Sequence, residues 1–340
     1  MAIPKTSANI IFTAKEKAEL VREPISEPGP GALLIRATYS LISTGTETIC
    51  YGRRFDPGTH WDNWVKYPFH TGYSHVGVVE ATGAGVKNFK VGDRVASTMG
   101  HGQYVLANEA GCYPIPEGVS DRDAGWFTIS YIVQTGVRLA KHELGDNVAV
   151  VGLGPLGQMA VQYTKLLGAR ELIAIDPVQS RLDLAKAHGA TRTLAVGVDD
   201  AVDAVKQLTG GRGADALYDM TGNDRVFAGA QKLLRRFGKL VLIGDTGSPA
   251  GQHLTGEVIR NSLQIIASHA TNTPPEATDW SWWTRANMVA LFYHYLKDGR
   301  MRVSDMNTHS FSPAECQNGY QKLLHDRSST MGCHFDWSKV

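Results

Sequence analysis

The segment Val150-Val151-Gly152-Leu153-Gly154-Pro155-Leu156-Gly157 carries the clearest chemical content of this 340-residue chain. Glycines spaced Gly-x-Gly-x-x-Gly, after an apolar run and before a helical pattern, suit a loop that cradles a pyrophosphate. Gly152 allows the tight turn, Gly154 lets the backbone approach the phosphates, and Gly157 lets the helix pack close to its strand. Pro155 and Leu156 open that helix, whose first N–H groups and dipole face the anion. A second apolar run, Glu171–Ile175, ends in Asp176, 24 residues after Gly152. A carboxylate there accepts both hydroxyls of an adenosine ribose and repels a 2′-phosphate, so the expected cofactor is NAD(H) rather than NADP(H). Arg181 is expected to flank the ribose. Thr221 and Gly244, at the ends of later apolar runs, are expected to line the nicotinamide side, because such sheets bind ligands outside the carboxyl ends of their strands. A plain strand-to-helix turn with no ligand stays open as the alternative.

The elements that must position this loop follow from hydrophobic period. Up to about Gly125 the apolar runs are short and strand-like, as in Ala32–Ala37 and Val76–Ala81, and turn residues separate them. From Thr128 to about Ala270 apolar strands alternate with helical stretches, which predicts a parallel sheet covered on both faces. The strands expected there are 147–151, 171–175, 216–220, 239–243 and 263–268; the helices are 156–167, 179–188, 199–208 and 225–235. The last stretch carries two helices, 284–298 and 313–325, and a short strand near Met331–Phe335. The predicted domains are 1–127, 128–271, and a return segment 272–340 that completes the first.

Composition excludes several classes. Basic residues number 34 and acidic residues 33, so bulk charge gives no footprint for nucleic acid or an anionic membrane. No apolar run has the length to cross a bilayer, and the first residues lack a signal-peptide pattern, so a cytoplasmic location is expected. The four cysteines are widely spaced, without a Cys-x-x-Cys pair, and read as buried small side chains.

Gly72–Gly77 followed by Val78-Val79-Glu80, then Gly92-Asp93-Arg94-Val95, the glycine loop and Asp176 together resemble the medium-chain dehydrogenase/reductase, or alcohol dehydrogenase, superfamily. The resemblance spans nearly the whole chain. It implies an α/β fold: a GroES-like β-barrel catalytic domain interrupted by a Rossmann domain with a doubly wound parallel sheet, and an active site in the cleft between them. Zinc-dependent members carry a Cys-x-Thr/Ser-Asp motif, a Gly-His-Glu motif and a third Cys or His before the Rossmann strand. Here the first reads Thr44-Gly45-Thr46-Glu47 and the second Gly72-Tyr73-Ser74, while the third position falls near Phe127 or Thr128. Zinc needs thiolate, imidazole or carboxylate ligands, so no metal is expected at the family's site. The region of the structural zinc lobe, Val95–Ala107, has no cysteine. A rearranged set of His70, His75 and Glu47 remains the alternative. Ile42-Ser43-Thr44-Gly45-Thr46-Glu47 and Phe335-Asp336-Trp337 resemble a zinc-lacking branch that includes the bacteriochlorophyllide hydroxyethyl dehydrogenases, while sugar and polyol dehydrogenase branches fit the rest of the chain equally well.

What the resemblance implies is hydride transfer between NAD(H) and a secondary alcohol or its ketone. Without zinc, a positioned acid/base must take the hydroxyl proton. Tyr73 stands at a lost ligand position and is the first candidate, although a phenol titrating near 10 needs a neighbouring cation or donor. Thr46 matches the hydroxyl that relays the proton in zinc members, and Glu47 or His75 would orient the pair. Arg53, Trp61, Trp64 and Trp283 are candidates for holding a sugar, cyclitol or polyol substrate, since aromatic faces stack on rings and arginine pairs with anions. A small-molecule substrate and a homo-oligomer, dimer or tetramer, complete the expectation. The rivals are a quinone or enoyl double-bond reductase and a non-catalytic NAD(H) sensor.

Overall fold

The computed structural model describes residues Pro4–Val340. The first strands are β1 (Thr6–Ala14), β2 (Lys17–Pro24), β3 (Ala32–Ile42), β4 (Phe69–His70) and β5 (His75–Thr82). They are followed by β6 (Arg94–Ser97), β7 (Tyr104–Asn108), β8 (Cys112–Pro114), β9 (Asn147–Val151), β10 (Glu171–Ile175) and β11 (Arg192–Leu194). The last are β12 (Ala214–Asp219), β13 (Leu234–Leu242), β14 (Gln264–Ala267), β15 (Asn307–Phe311) and β16 (Gly332–Asp336).

The chain divides into two compact units. One runs from the start of the described chain to Arg54, then His60–Thr128 and Val289–Val340; the other holds Phe55–Thr59 and Ile129–Met288. The switch back to the first unit therefore comes at residue 289 rather than 272. Local contacts explain the delay: the Gln134 amide donates to the Met288 carbonyl at 2.7 Å, and the Arg285 guanidinium lies over the Tyr131 ring at 5.0 Å. The insertion 55–59 is tied by the Asp56 N–H donating to the Gly247 carbonyl at 2.8 Å.

In the first unit β3 is the organising strand. The sheet runs β15-β16-β3-β5-β6-β8, with β7 also pairing β3, and β2-β1-β4 form a second, smaller sheet. Leu33, Ile35, Val79, Val95 and Val105 meet as one apolar cluster, which fixes the register, because a one-residue slip would turn that row to solvent. The antiparallel pairing aligns Ser40 with His75, and the Leu41 N–H donates to the Ser74 carbonyl at 2.9 Å. Ser43, just past the end of β3, is thereby carried beside Tyr73, just before β5. The expected C-terminal strand is β16, antiparallel to the other side of β3.

In the second unit six strands are parallel in the order β11-β10-β9-β12-β13-β14. This is the doubly wound dinucleotide-binding order. Every residue of β9 and β12 is buried, as a sheet covered on both faces requires. Two expected helices are shorter than read: Asp199–Ala201 is a 3₁₀ turn before the helix Val202–Leu208, and the helix Asp224–Gln231 stops early because β13 begins at Leu234. Among the described residues no helix is long and apolar enough to cross a membrane.

Candidate active site

The glycine loop leaves β9 and enters the helix Pro155–Leu166 with Gly154 at its N-cap and Pro155 in its first turn. The three glycines serve different purposes. Gly152 has φ +85°, and a Cβ there would meet the Thr221 methyl at 2.6 Å. A Cβ at Gly157 would lie 2.0 Å from the Gly152 carbonyl oxygen, so helix and loop interlock there. At Gly154 nothing lies within 4 Å, and no side chain caps the helix. An open backbone position at an uncapped helix N-terminus is what a pyrophosphate needs, so this loop fits a dinucleotide. Leu156 is half-buried beside it.

Asp176 is buried at the tip of β10, where its carboxylate accepts the Leu153 N–H and the Val178 N–H, both at 2.8 Å. It therefore also braces the glycine loop, which motif reading did not anticipate. Arg181 reaches it at 3.8 Å. Thr221 presents its methyl to the loop while its hydroxyl donates to Asp219 at 2.7 Å. Gly244 is a packing glycine: a Cβ would lie 2.4 Å from the Gly222 nitrogen.

In the first unit the positions where the resemblance puts zinc ligands hold Thr44, Tyr73 and the Phe127/Thr128 pair. The Tyr73 phenol donates to Ser43 Oγ and lies 3.2 Å from Thr46 Oγ1. Thr128 donates to the Tyr73 carbonyl at 3.1 Å, and Ser74 to the Gly125 carbonyl at 2.5 Å. Thr44 and Phe127 are buried, the latter with its ring against Tyr113. Thr46 and Tyr73 line one hollow together with Cys50, Trp64, Phe69 and His70.

Glu47 lies deeper. One oxygen accepts the Ser43 N–H at 2.7 Å; the other accepts Thr71 Oγ1 at 2.9 Å, Tyr320 OH at 2.6 Å and His101 Nε2 at 3.0 Å. Burial opposes its charge, but His101, Tyr320 and the Ser43 N–H outweigh that and hold the carboxyl below its ordinary range. Glu47 therefore supports Ser43 rather than touching Tyr73. His75 is not joined to the pair: its Nε2 faces the Gly102 carbonyl at 3.2 Å, and burial pushes its pKa down to about 4. His70 is an exposed partner of Glu23 at 2.9 Å. The rearranged trio His70, His75 and Glu47 is thus dispersed, and among the described residues no three His, Cys, Asp or Glu side chains gather. The hydroxyl donors around Tyr73 and the fully engaged Glu47 do not fit zinc. Sequence reasoning missed Ser43, Thr71, His101 and Tyr320. Tyr320 reaches Glu47 across 273 residues, a separation no local motif can signal.

Two family profiles match: "Alcohol dehydrogenase GroES-like domain" over residues 29–119 and "Zinc-binding dehydrogenase" over residues 155–284. An L-threonine 3-dehydrogenase of Anaeromyxobacter sp. (strain Fw109-5) is 30% identical over 255 residues, 65% of this chain and 71% of that protein. The chain belongs to the alcohol dehydrogenase-like medium-chain dehydrogenase/reductase superfamily. A D-guloside 3-dehydrogenase of Escherichia coli (strain K12) is 29% identical over 78% of each chain. Among solved structures, an Escherichia coli oxidoreductase/dehydrogenase of unknown specificity superposes with a TM-score of 0.83 at 20% identity, over 97% of this chain and 99% of the other. The fold is therefore a GroES-like domain with a Rossmann-type parallel sheet, and the protein is an alcohol-acting oxidoreductase.

The candidate substrate residues of this dehydrogenase fall in both units. Trp64, 50% exposed, faces the hollow, with buried Trp61 stacked obliquely behind it at 5.9 Å and Phe69 against its edge. Arg53 pairs with Asp62 at 2.6 Å and ends the helix Thr46–Gly52 in a left-handed conformation. Trp283 belongs to the other unit, packed under the Arg138 guanidinium at 3.4 Å.

Proposed function

We propose that the protein is an NAD(H)-dependent dehydrogenase that interconverts a secondary alcohol and its ketone without zinc, with Tyr73 as acid/base. The observation that carries this reading is the Tyr73 phenol held between the hydroxyls of Ser43 and Thr46 at a hollow walled by Trp64. Two hydroxyls at a phenol oxygen can turn their hydrogens to its ionised form, which favours the state able to accept a proton. In oxidation Tyr73 takes the substrate hydroxyl proton while Thr46 holds the substrate oxygen; in reduction Tyr73 returns that proton. The nicotinamide cofactor supplies the hydride acceptor. Asp176, beside the glycine loop, favours a free ribose 2′-hydroxyl over a 2′-phosphate, hence NAD(H).

The half-exposed Trp64 at the hollow favours a ring-bearing or polyhydroxylated substrate of the sugar, cyclitol or polyol type. The likeness to a D-guloside 3-dehydrogenase supports the same class. β14 ends the parallel sheet with Gln264, Ile265 and Ala267 exposed, an open edge that suits pairing with a second copy. The test is NADH formation across a panel of sugars, cyclitols, polyols and hydroxy acids. Turnover confined to members with a secondary ring or chain hydroxyl is the expected result; turnover only of primary alcohols, or only of activated double bonds with NADPH, contradicts it.

A further inference from the structure

We infer that His101 is a positioning residue that sets the Tyr73 phenol in place through Glu47 and Ser43. The inference rests on the reading of Tyr73 as acid/base. His101 is buried, and its Nε2 faces a Glu47 oxygen at 3.0 Å. A carboxylate can only accept, so that nitrogen carries the hydrogen. Its Nδ1 lies 2.7 Å from Ser40 Oγ, which also accepts the Trp337 indole N–H at 2.9 Å. Both ring nitrogens of His101 are thus engaged by buried partners. The ring also packs edge-on against Phe335 with centroids 5.0 Å apart, which leaves it little room to turn.

His101 grips both segments that converge on the phenol. On one side Glu47 passes the constraint to the Ser43 N–H at 2.7 Å, and Ser43 Oγ receives the Tyr73 hydroxyl. On the other side the His101 N–H donates to the Thr71 carbonyl at 3.0 Å. The imidazole fills the space under Gly72, where a Cβ would fall 2.6 Å from its Cδ2. Gly72, with φ +89°, is thus the residue that admits the ring directly before Tyr73. The row Ser40–His101–Glu47 has the order of a hydrolytic triad. Ser40, however, is 0% exposed and its oxygen is occupied by Trp337, so no substrate reaches it. Its consequence is geometric: displacement of the phenol by about 1 Å can cost about 100-fold in rate.

The test is a double-mutant cycle of His101→Phe and Tyr73→Phe, followed by kcat, alcohol KM and NADH affinity. His101→Phe is expected to lower kcat about 10- to 100-fold with alcohol KM and NADH affinity within about twofold. His101→Gln, whose amide can still donate to Glu47, should recover most of that loss. In the Tyr73→Phe background His101→Phe should cost less than about twofold more, because the group it positions is gone. Full additivity, with Tyr73→Phe already impaired, overturns the role of His101 and leaves the Tyr73 reading standing. Wild-type turnover in Tyr73→Phe overturns that reading and the inference with it. If His101→Phe fails to fold, Tyr320→Phe and Ser40→Ala probe the same row. A kcat loss that vanishes in the Tyr73→Phe background supports the inference, and wild-type kcat in both folded variants overturns it.

Discussion

The two polar regions of this molecule are built from different materials. The dinucleotide loop is made of backbone: Gly154 contributes open space, Gly157 close packing, and Asp176 ties the loop by accepting its Leu153 N–H. The Tyr73 region is made of side chains from the helix Thr46–Gly52, from Tyr320 on the helix Cys316–His325, and from Ser43, Thr71 and His101 in three connecting segments. A backbone site tolerates many side chains but few changes of glycine. A side-chain site has the opposite sensitivity, and each of its members tests that contrast.

The largest expected effect is Tyr73→Phe, which deletes one hydroxyl and keeps the ring volume. Loss of an acid/base costs about 10²–10⁴ in kcat, or about 3–5 kcal/mol of barrier. NADH affinity should not move. Thr46→Val should give a smaller loss of the same kind, and steady-state kinetics with fluorescence titration of NADH separate the two quantities. Next comes Asp176→Ser combined with an arginine at Val178. The ratio of kcat/KM for NADH over NADPH should fall about 10- to 100-fold, or about 1.4–2.8 kcal/mol; equal use of both cofactors by the native enzyme contradicts the role given to this carboxylate.

The glycines then separate binding from packing. Gly157→Ala drives a Cβ into the Gly152 carbonyl and should lower stability by about 1–3 kcal/mol, seen as a lower Tm. Gly154→Ala meets nothing in the free protein, so Tm should hold while NADH affinity drops about tenfold. An equal loss of Tm in both would erase the distinction.

The side-chain region also predicts sensitivity to acid. Burial pushes His75 down to about 4, and burial with Arg122 nearby pushes His334 down to about 3. The unfolded chain takes up both protons near pH 6.5 while the folded chain does not. Stability should therefore fall as pH drops from about 6.5 towards 4, by at most about 1.4 kcal/mol per pH unit per histidine. Asp219, raised by burial, works in the opposite direction. Urea midpoints at pH 7 and pH 5 measure the net, and an unchanged midpoint contradicts the neutral burial of these rings.

The same contrast explains how much was legible in the sequence. The loop, its strand and Asp176 lie within 30 residues, so spacing alone located them, and β9, β10 and the helix Gln179–His188 fell on the expected residues. β11 was missed because three residues, Arg192–Leu194, leave no periodic signal. Tyr73 and Thr46 became candidates only because a family pattern marks their positions; spacing alone does not single them out. His75 has the right residue type but is buried at the start of β5 with its ring facing the Gly102 carbonyl, a placement that proximity in sequence does not reveal. His101 and Tyr320 were invisible because only the folded sheet brings them to Glu47. The Arg53 partner, Asp62, lies on the next helix, a pairing that the sequence does not signal.

In the proposed reading, hydroxyl groups do at Tyr73 what zinc does in the zinc-dependent members of the superfamily. Metal analysis of the purified, active enzyme, paired with turnover before and after exhaustive chelation, tests it most directly. Far less than one zinc per chain and undiminished NADH formation after chelation are the expected results. One tightly held zinc per chain, with activity lost on its removal and restored on its return, would contradict it.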